Sequence, residues 1–116
     1  MSVSDNVSRR FFRGFIQVHI LHHAAIERVY GAALIEELAR HGYRLSPGTL
    51  YPILHALERD GFLARRDRNV GGKVRKEYSI TPAGRAALRD ARAKVRELVE
   101  EVLAGDSPKA RRARPR

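Results

Sequence analysis

The chain has 116 residues, no cysteine and no tryptophan, and carries 23 Lys and Arg against 13 Asp and Glu, a formal net charge of +10. That length makes one domain with a small core, and the missing cysteines exclude a disulfide scaffold, a thiolate metal site and a cysteine nucleophile. With no apolar run of about 18 residues and no apolar signal segment after Met1, the chain reads as a soluble cytoplasmic protein, no membrane protein, whose partner is polyanionic: nucleic acid first, an anionic surface second.

The charge is unevenly spread. Residues 1–60 hold 7 basic and 6 acidic side chains, whereas residues 61–96 hold 11 and 3. Residues 97–104 carry three glutamates, and the tail 105–116 adds five basic residues against one aspartate. A surplus gathered in one segment and one tail describes a binding surface better than a solvated face.

In chain order, residues 1–7 are polar and expected to be flexible. Residues 8–25 predict a helix with apolar positions on more than one face, among them Phe11, Phe12, Phe15, Ile16, Ile20 and Leu21. So small a protein has little to cover such a helix, which points to a second subunit. A break at residues 27–30 precedes a helix over 31–41, with Leu34, Ile35 and Leu38 inward and Gly42 in the left-handed position that ends it. After a short turn, Ser46-Pro47 starts a third helix: the serine hydroxyl is expected to accept an orphan backbone N–H, and proline suits the first turn. Leu50, Ile53, Leu54 and Leu57 form its inner stripe, and Asp60-Gly61 stops it. Pro52 inside this helix removes one backbone bond and predicts a distorted first turn.

The period then changes. Residues 62–68 and 73–80 predict two strands joined by Asn69-Val70-Gly71-Gly72, with Val74, Lys76, Tyr78 and Ile80 inward and Arg75, Glu77 and Ser79 outward. Thr81-Pro82 repeats the cap-and-proline start for a last helix to Leu103, whose Leu88, Ala91, Val95, Leu98 and Val102 follow the spacing of a coiled-coil seam. The fold class is therefore mainly α with a two-stranded β-hairpin: a winged helix-turn-helix over 8–80, a dimerisation helix over 81–104, and a disordered basic tail over 105–116.

In a helix-turn-helix the second helix enters the DNA major groove. Its outward positions here are Ser46, Gly48, Thr49, Tyr51, Pro52 and His55. Small residues let the backbone approach phosphate, and the Thr49 and Tyr51 hydroxyls can reach phosphate or base edges; Tyr51 reads equally well as a packing hinge. The hairpin forms a wing, with Gly71 and Gly72 at its tip and Arg65, Arg66, Arg68, Lys73, Arg75 and Lys76 beside them, suited to backbone and minor-groove contact. Arg9, Arg10 and Arg13 are weaker candidates for DNA-backbone contacts. Phe12, Phe15, Leu88, Ala91, Val95, Leu98 and Val102 are the candidate dimer interface.

The run Leu45-Ser46-Pro47-Gly48-Thr49-Leu50-Tyr51-Pro52, then Leu57-Glu58, Asp60-Gly61 and Tyr78-Ser79-Ile80-Thr81-Pro82-Ala83-Gly84, resembles the PadR family of bacterial transcription regulators. The similarity spans about residues 9–103, and Pro52 belongs to the family pattern. It implies a winged helix-turn-helix that dimerises through its C-terminal helix and binds a palindromic double-stranded operator, usually as a repressor. The single C-terminal helix resembles the family's shorter form. Relatives that hold flat aromatic compounds between tryptophans are no guide, because this chain has none.

His19 with His22 or His23 has helical metal-ligand spacing. These histidines read either as hydrogen-bonded side chains in a dimer core or as a metal or small-molecule effector site between the first and last helices. No cofactor is implied. There is no Gly-rich phosphate loop, no HExxH and no Ser–His–Asp arrangement, so an enzyme is not expected. The alternatives to an operator-binding repressor are a metal-responsive regulator and a basic RNA- or ribosome-associated winged-helix protein.

Overall fold

The computed structural model describes residues 3–104, with side chains from residue 9 onward; the basic tail 105–116 lies outside the described residues. Four helices and three short strands follow one another: α1 (Val3–Ile26), β1 (Val29–Tyr30), α2 (Gly31–Arg40), α3 (Pro47–Arg59), β2 (Leu63–Val70), β3 (Lys73–Ile80) and α4 (Pro82–Val102). The first helix begins at Val3, so it takes in most of the segment expected to be flexible.

The core is one cluster in which α1 (Ile16, Ile20, Leu21, Ala24) meets α2 (Leu34, Leu38), α3 (Leu50, Ile53, Leu54, Leu57), the sheet (Val29, Leu63, Tyr78) and Leu88 of α4. Its spacing on α1 marks a single face. Phe11, Phe12, Phe15 and Ile26 of that helix stay exposed.

Helix ends are built from local chemistry. At the end of α2, the N–H of Tyr43 donates to the Leu38 carbonyl and that of Gly42 to Ala39. This closure needs φ of +87° at Gly42, which glycine adopts without a Cβ clash. Thr81 caps α4 by accepting from the Gly84 N–H at 3.0 Å, while its own hydroxyl donates to the Gly61 carbonyl. Ser46 departs from expectation. It occupies the N-cap position of α3, but its hydroxyl makes no bond to the helix backbone and instead lies 3.3 Å from the Thr49 hydroxyl. The helix continues through Pro52 to Arg59; the bond that Pro52 cannot make would have run to Gly48, in the first turn.

The sheet corrects the sequence reading in three ways. It has three strands, in the order β1-β3-β2, because Val29 and Tyr30 pair antiparallel with Tyr78 and Glu77; two residues are too few to show an alternation. The hairpin is longer than expected, with Val70 paired to Lys73 and only Gly71 and Gly72 in the turn. Their φ values of +59° and +83° match a two-residue turn whose twist suits the strands. Finally, the outward face of β3 is partly covered. Glu77 is 3% exposed and Val74 69% exposed, the reverse of the alternation expected from polarity. The core reaches only the base of the hairpin, where Leu63 and Tyr78 are buried, while Tyr30 of β1 closes over the other face at Glu77.

Candidate nucleic-acid interface

The N-terminal turn of α3 stands clear of the core. Ser46, Gly48, Thr49, Pro52 and His55 are exposed, and Leu50, Ile53, Leu54 and Leu57 anchor the opposite face. The backbone at Gly48 and the Thr49 side chain are therefore exposed together, a surface suited to anionic and hydrogen-bonding groups. Tyr51 differs from its neighbours. It is half-buried against the first residue of α2, where a Cβ on Gly31 would collide with the phenol ring. Tyr51 thus makes a packing contact of the kind that its sequence position allowed.

Beside this turn runs a cleft of about 660 Å³, lined by Arg9, Arg10, Arg13 and Phe12 of α1, Tyr43 and Arg44 of the turn, and Thr49 of α3. It places the arginines of the first helix next to the start of α3. Arg44 joins them and was not singled out from the sequence, although its position two residues before the Ser46-Pro47 start was a usable sign.

The wing carries Arg66, Arg68, Lys73, Arg75 and Lys76 on two strands with Gly71 and Gly72 at the tip. These cations are not equivalent. Arg75 donates to the buried carboxylate of Glu77 at 2.7 Å, and its guanidinium lies 3.9 Å from the centre of the Tyr30 ring. Arg68 approaches the same carboxylate at 3.7 Å. The Arg75 hydrogen bond holds Glu77 below its ordinary pKa, helped by the charges of Arg75, Arg68 and Arg28, while burial opposes it. Arg75 and Arg68 are thus partly committed to the fold. Arg66, Lys73 and Lys76 are exposed, with no carboxylate partner among the described residues.

The candidate dimer residues also divide. Leu88 is buried in the core of the chain itself and Ala91 is half-buried. Phe12, Phe15, Val95, Leu98 and Val102 remain exposed, joined by Phe11, Val99 and Leu103. Val99 lies one residue off the seam expected from the spacing and, with Val95, borders Val18 of α1.

Of the three histidines on α1, His22 turns away, its ring nitrogen 3.3 Å from Arg92 of α4. His19 and His23 instead meet His41, the C-cap of α2. The junction is therefore between α1 and α2, not α1 and α4. A one-turn spacing cannot choose between i+3 and i+4, and His41 is remote in sequence.

An exposed helix start after a tight turn, a glycine-tipped basic hairpin and a long C-terminal helix define a winged helix-turn-helix regulator. Residues 20–90 match the model of the Transcriptional regulator PadR-like family, and the chain belongs to that family. It is 57% identical over 99 residues to the Transcriptional regulator Rv3488 of Mycobacterium tuberculosis, covering 85% of this chain and 92% of that protein. Among solved structures it is similar to a PadR family transcriptional regulator from Eggerthella lenta (TM-score 0.77, 32% identity, covering 91% of this chain and 94% of the other). A PadR-like transcription factor from Bacteroides fragilis is also similar (TM-score 0.73, 29% identity, 85% and 97% covered). Among the described residues no helix is long and apolar enough to cross a membrane.

Proposed function

We propose that this transcriptional regulator is a homodimer that binds a specific double-stranded operator as a repressor, is relieved by an effector, and carries out no catalytic step. The observation that carries this reading is the outward N-terminal turn of α3, with Ser46, Gly48 and Thr49 exposed beside a cleft containing Arg9, Arg10, Arg13 and Arg44. That arrangement supports base contact from a nearly uncharged helix start and phosphate contact from the surrounding cations. Arg66, Lys73 and Lys76 of the wing add phosphate contacts, with Gly71 and Gly72 slim enough to enter a minor groove.

The exposed apolar residues of α1 and α4 support the dimer. Leu98 is 51% exposed on a helix whose other faces are charged, and covering such a row is the ordinary purpose of a self-association face. A dimer would present two α3 helices to two half-sites of a palindrome.

The test is a gel shift on DNA upstream of the protein's own gene, with random duplex and structured RNA as competitors. Retention of the complex against random duplex supports operator binding. Equal loss to random duplex refutes sequence choice, and preferential loss to RNA would favour an RNA-associated protein instead.

A further inference from the structure

At the junction of α1 and α2, three imidazoles converge. One ring nitrogen from each of His19, His23 and His41 lies within 4.8 Å of the others. His19 stacks on His41 with ring centroids 4.6 Å apart. Glu37, one helical turn before His41, directs Oε1 at both neighbours, 3.7 Å from His23 Nε2 and 3.6 Å from His41 Nε2. Its other oxygen is bound by Arg40 at 2.7 Å, which holds the carboxylate in place. His23 Nε2 is buried and finds no hydrogen-bond partner among the described residues. A buried ring nitrogen without a partner is costly unless something accepts or replaces the bond.

We propose that His19, His23 and His41, with Glu37 beside them, form a site for a divalent metal ion of the zinc type that ties the C-terminal ends of α1 and α2 together. Imidazoles suit this class of borderline ion, and three nitrogen ligands with an adjacent carboxylate are a common donor set for it. Ligand nitrogens around a tetrahedral zinc are about 3.4 Å apart, so the cluster needs only a modest closure, supplied by His41 as its exposed member. The site also borders the turn into α3: Tyr43 packs edge-on against His19 at 5.5 Å. That the ion acts as an effector rests on the function proposed above, whereas its binding does not.

The experiment uses the untagged full chain, stripped with EDTA, and measures zinc binding by calorimetry and cobalt binding by visible absorption, both without DNA. One ion per chain with micromolar or tighter affinity is expected, with cobalt bands of tetrahedral intensity. His41→Ala and His19→Ala should each weaken binding by about tenfold or more, and His22→Ala should leave it within about twofold. His41 is exposed at a helix end, and far-UV circular dichroism checks that its variant is folded. No binding at micromolar zinc overturns the proposal. So does equal loss in His22→Ala and His41→Ala, or binding that none of the three substitutions changes. A gel shift in EDTA, run alongside, keeps failure of the DNA reading distinct from failure of the metal site.

Discussion

Arg75 donates from both Nη2, at 2.7 Å, and Nε, at 3.1 Å, to a single oxygen of the buried Glu77. A side chain that the sequence marks as a DNA contact is thereby held within the wing. Arg75→Ala should leave the Glu77 carboxylate without its main partner and lower the melting temperature, with little change in the salt dependence of DNA binding. Lys73→Ala should do the opposite, flattening the slope of log K against log salt by ~1 unit with melting unchanged. Circular dichroism melts and salt-titrated binding curves of both variants would expose a reversed pattern.

The same pair sets a pH dependence. A carboxylate whose pKa is lowered by folding stabilises the protein above its unfolded value, and that contribution is lost as pH falls through the folded value. Glu77→Gln should therefore melt lower than the parent at pH 7, and the gap should close below about pH 4. A gap of constant size across the pH series would reduce Glu77 to a packing role.

Gly31 and Tyr51 are matched in shape. Gly31→Ala should push the Tyr51 ring from its seat and cost about 1–3 kcal/mol, the usual range for overpacking. In a Tyr51→Ala background the same substitution should cost less, since the colliding ring is gone. Denaturant unfolding of the double-mutant cycle measures the coupling, and additive losses would show that the contact is relaxed in solution.

Thr49 is exposed at the start of α3. Thr49→Ala should weaken operator binding by roughly three- to tenfold while leaving random-duplex binding nearly unchanged. Fluorescence anisotropy with the two DNAs provides the comparison; equal losses would assign Thr49 to phosphate contact alone.

Leu98 lies in the exposed apolar row of α4. Leu98→Asp should shift the protein from dimer to monomer in sedimentation velocity without lowering its helix content. A dimer of unchanged strength would move the interface to another face.

Much of the architecture was legible because it is written in short-range chemistry. Pro47 and Pro82 at first turns, Gly42 and Gly61 after helix ends, and the Leu50–Ile53–Leu54–Leu57 stripe each act within a few residues. They place α2, α3 and α4 close to their observed bounds. The strand β1 was not legible, since Val29 and Tyr30 become a strand only through pairing with β3. The Ser46 cap misled for a related reason: a favourable residue type does not ensure a bond, and here the Thr49 hydroxyl is the neighbour. Ser46, Gly48, Thr49, Pro52 and His55 came out exposed because the buried stripe dictates which face remains, whereas Tyr51 is half-buried.

What the amino-acid order alone determined is the family, the order of the helices and the hairpin, and the position of the basic surplus, all consequences of local propensity, periodicity and composition. Only the tertiary structure decided which cations are committed and which ligands meet. Arg75 binds Glu77 while its guanidinium lies against the Tyr30 ring of β1, and His41 joins His19 and His23 where α2 meets α1. Contacts between residues far apart in the chain are set by how whole elements pack, and no spacing within one element encodes them.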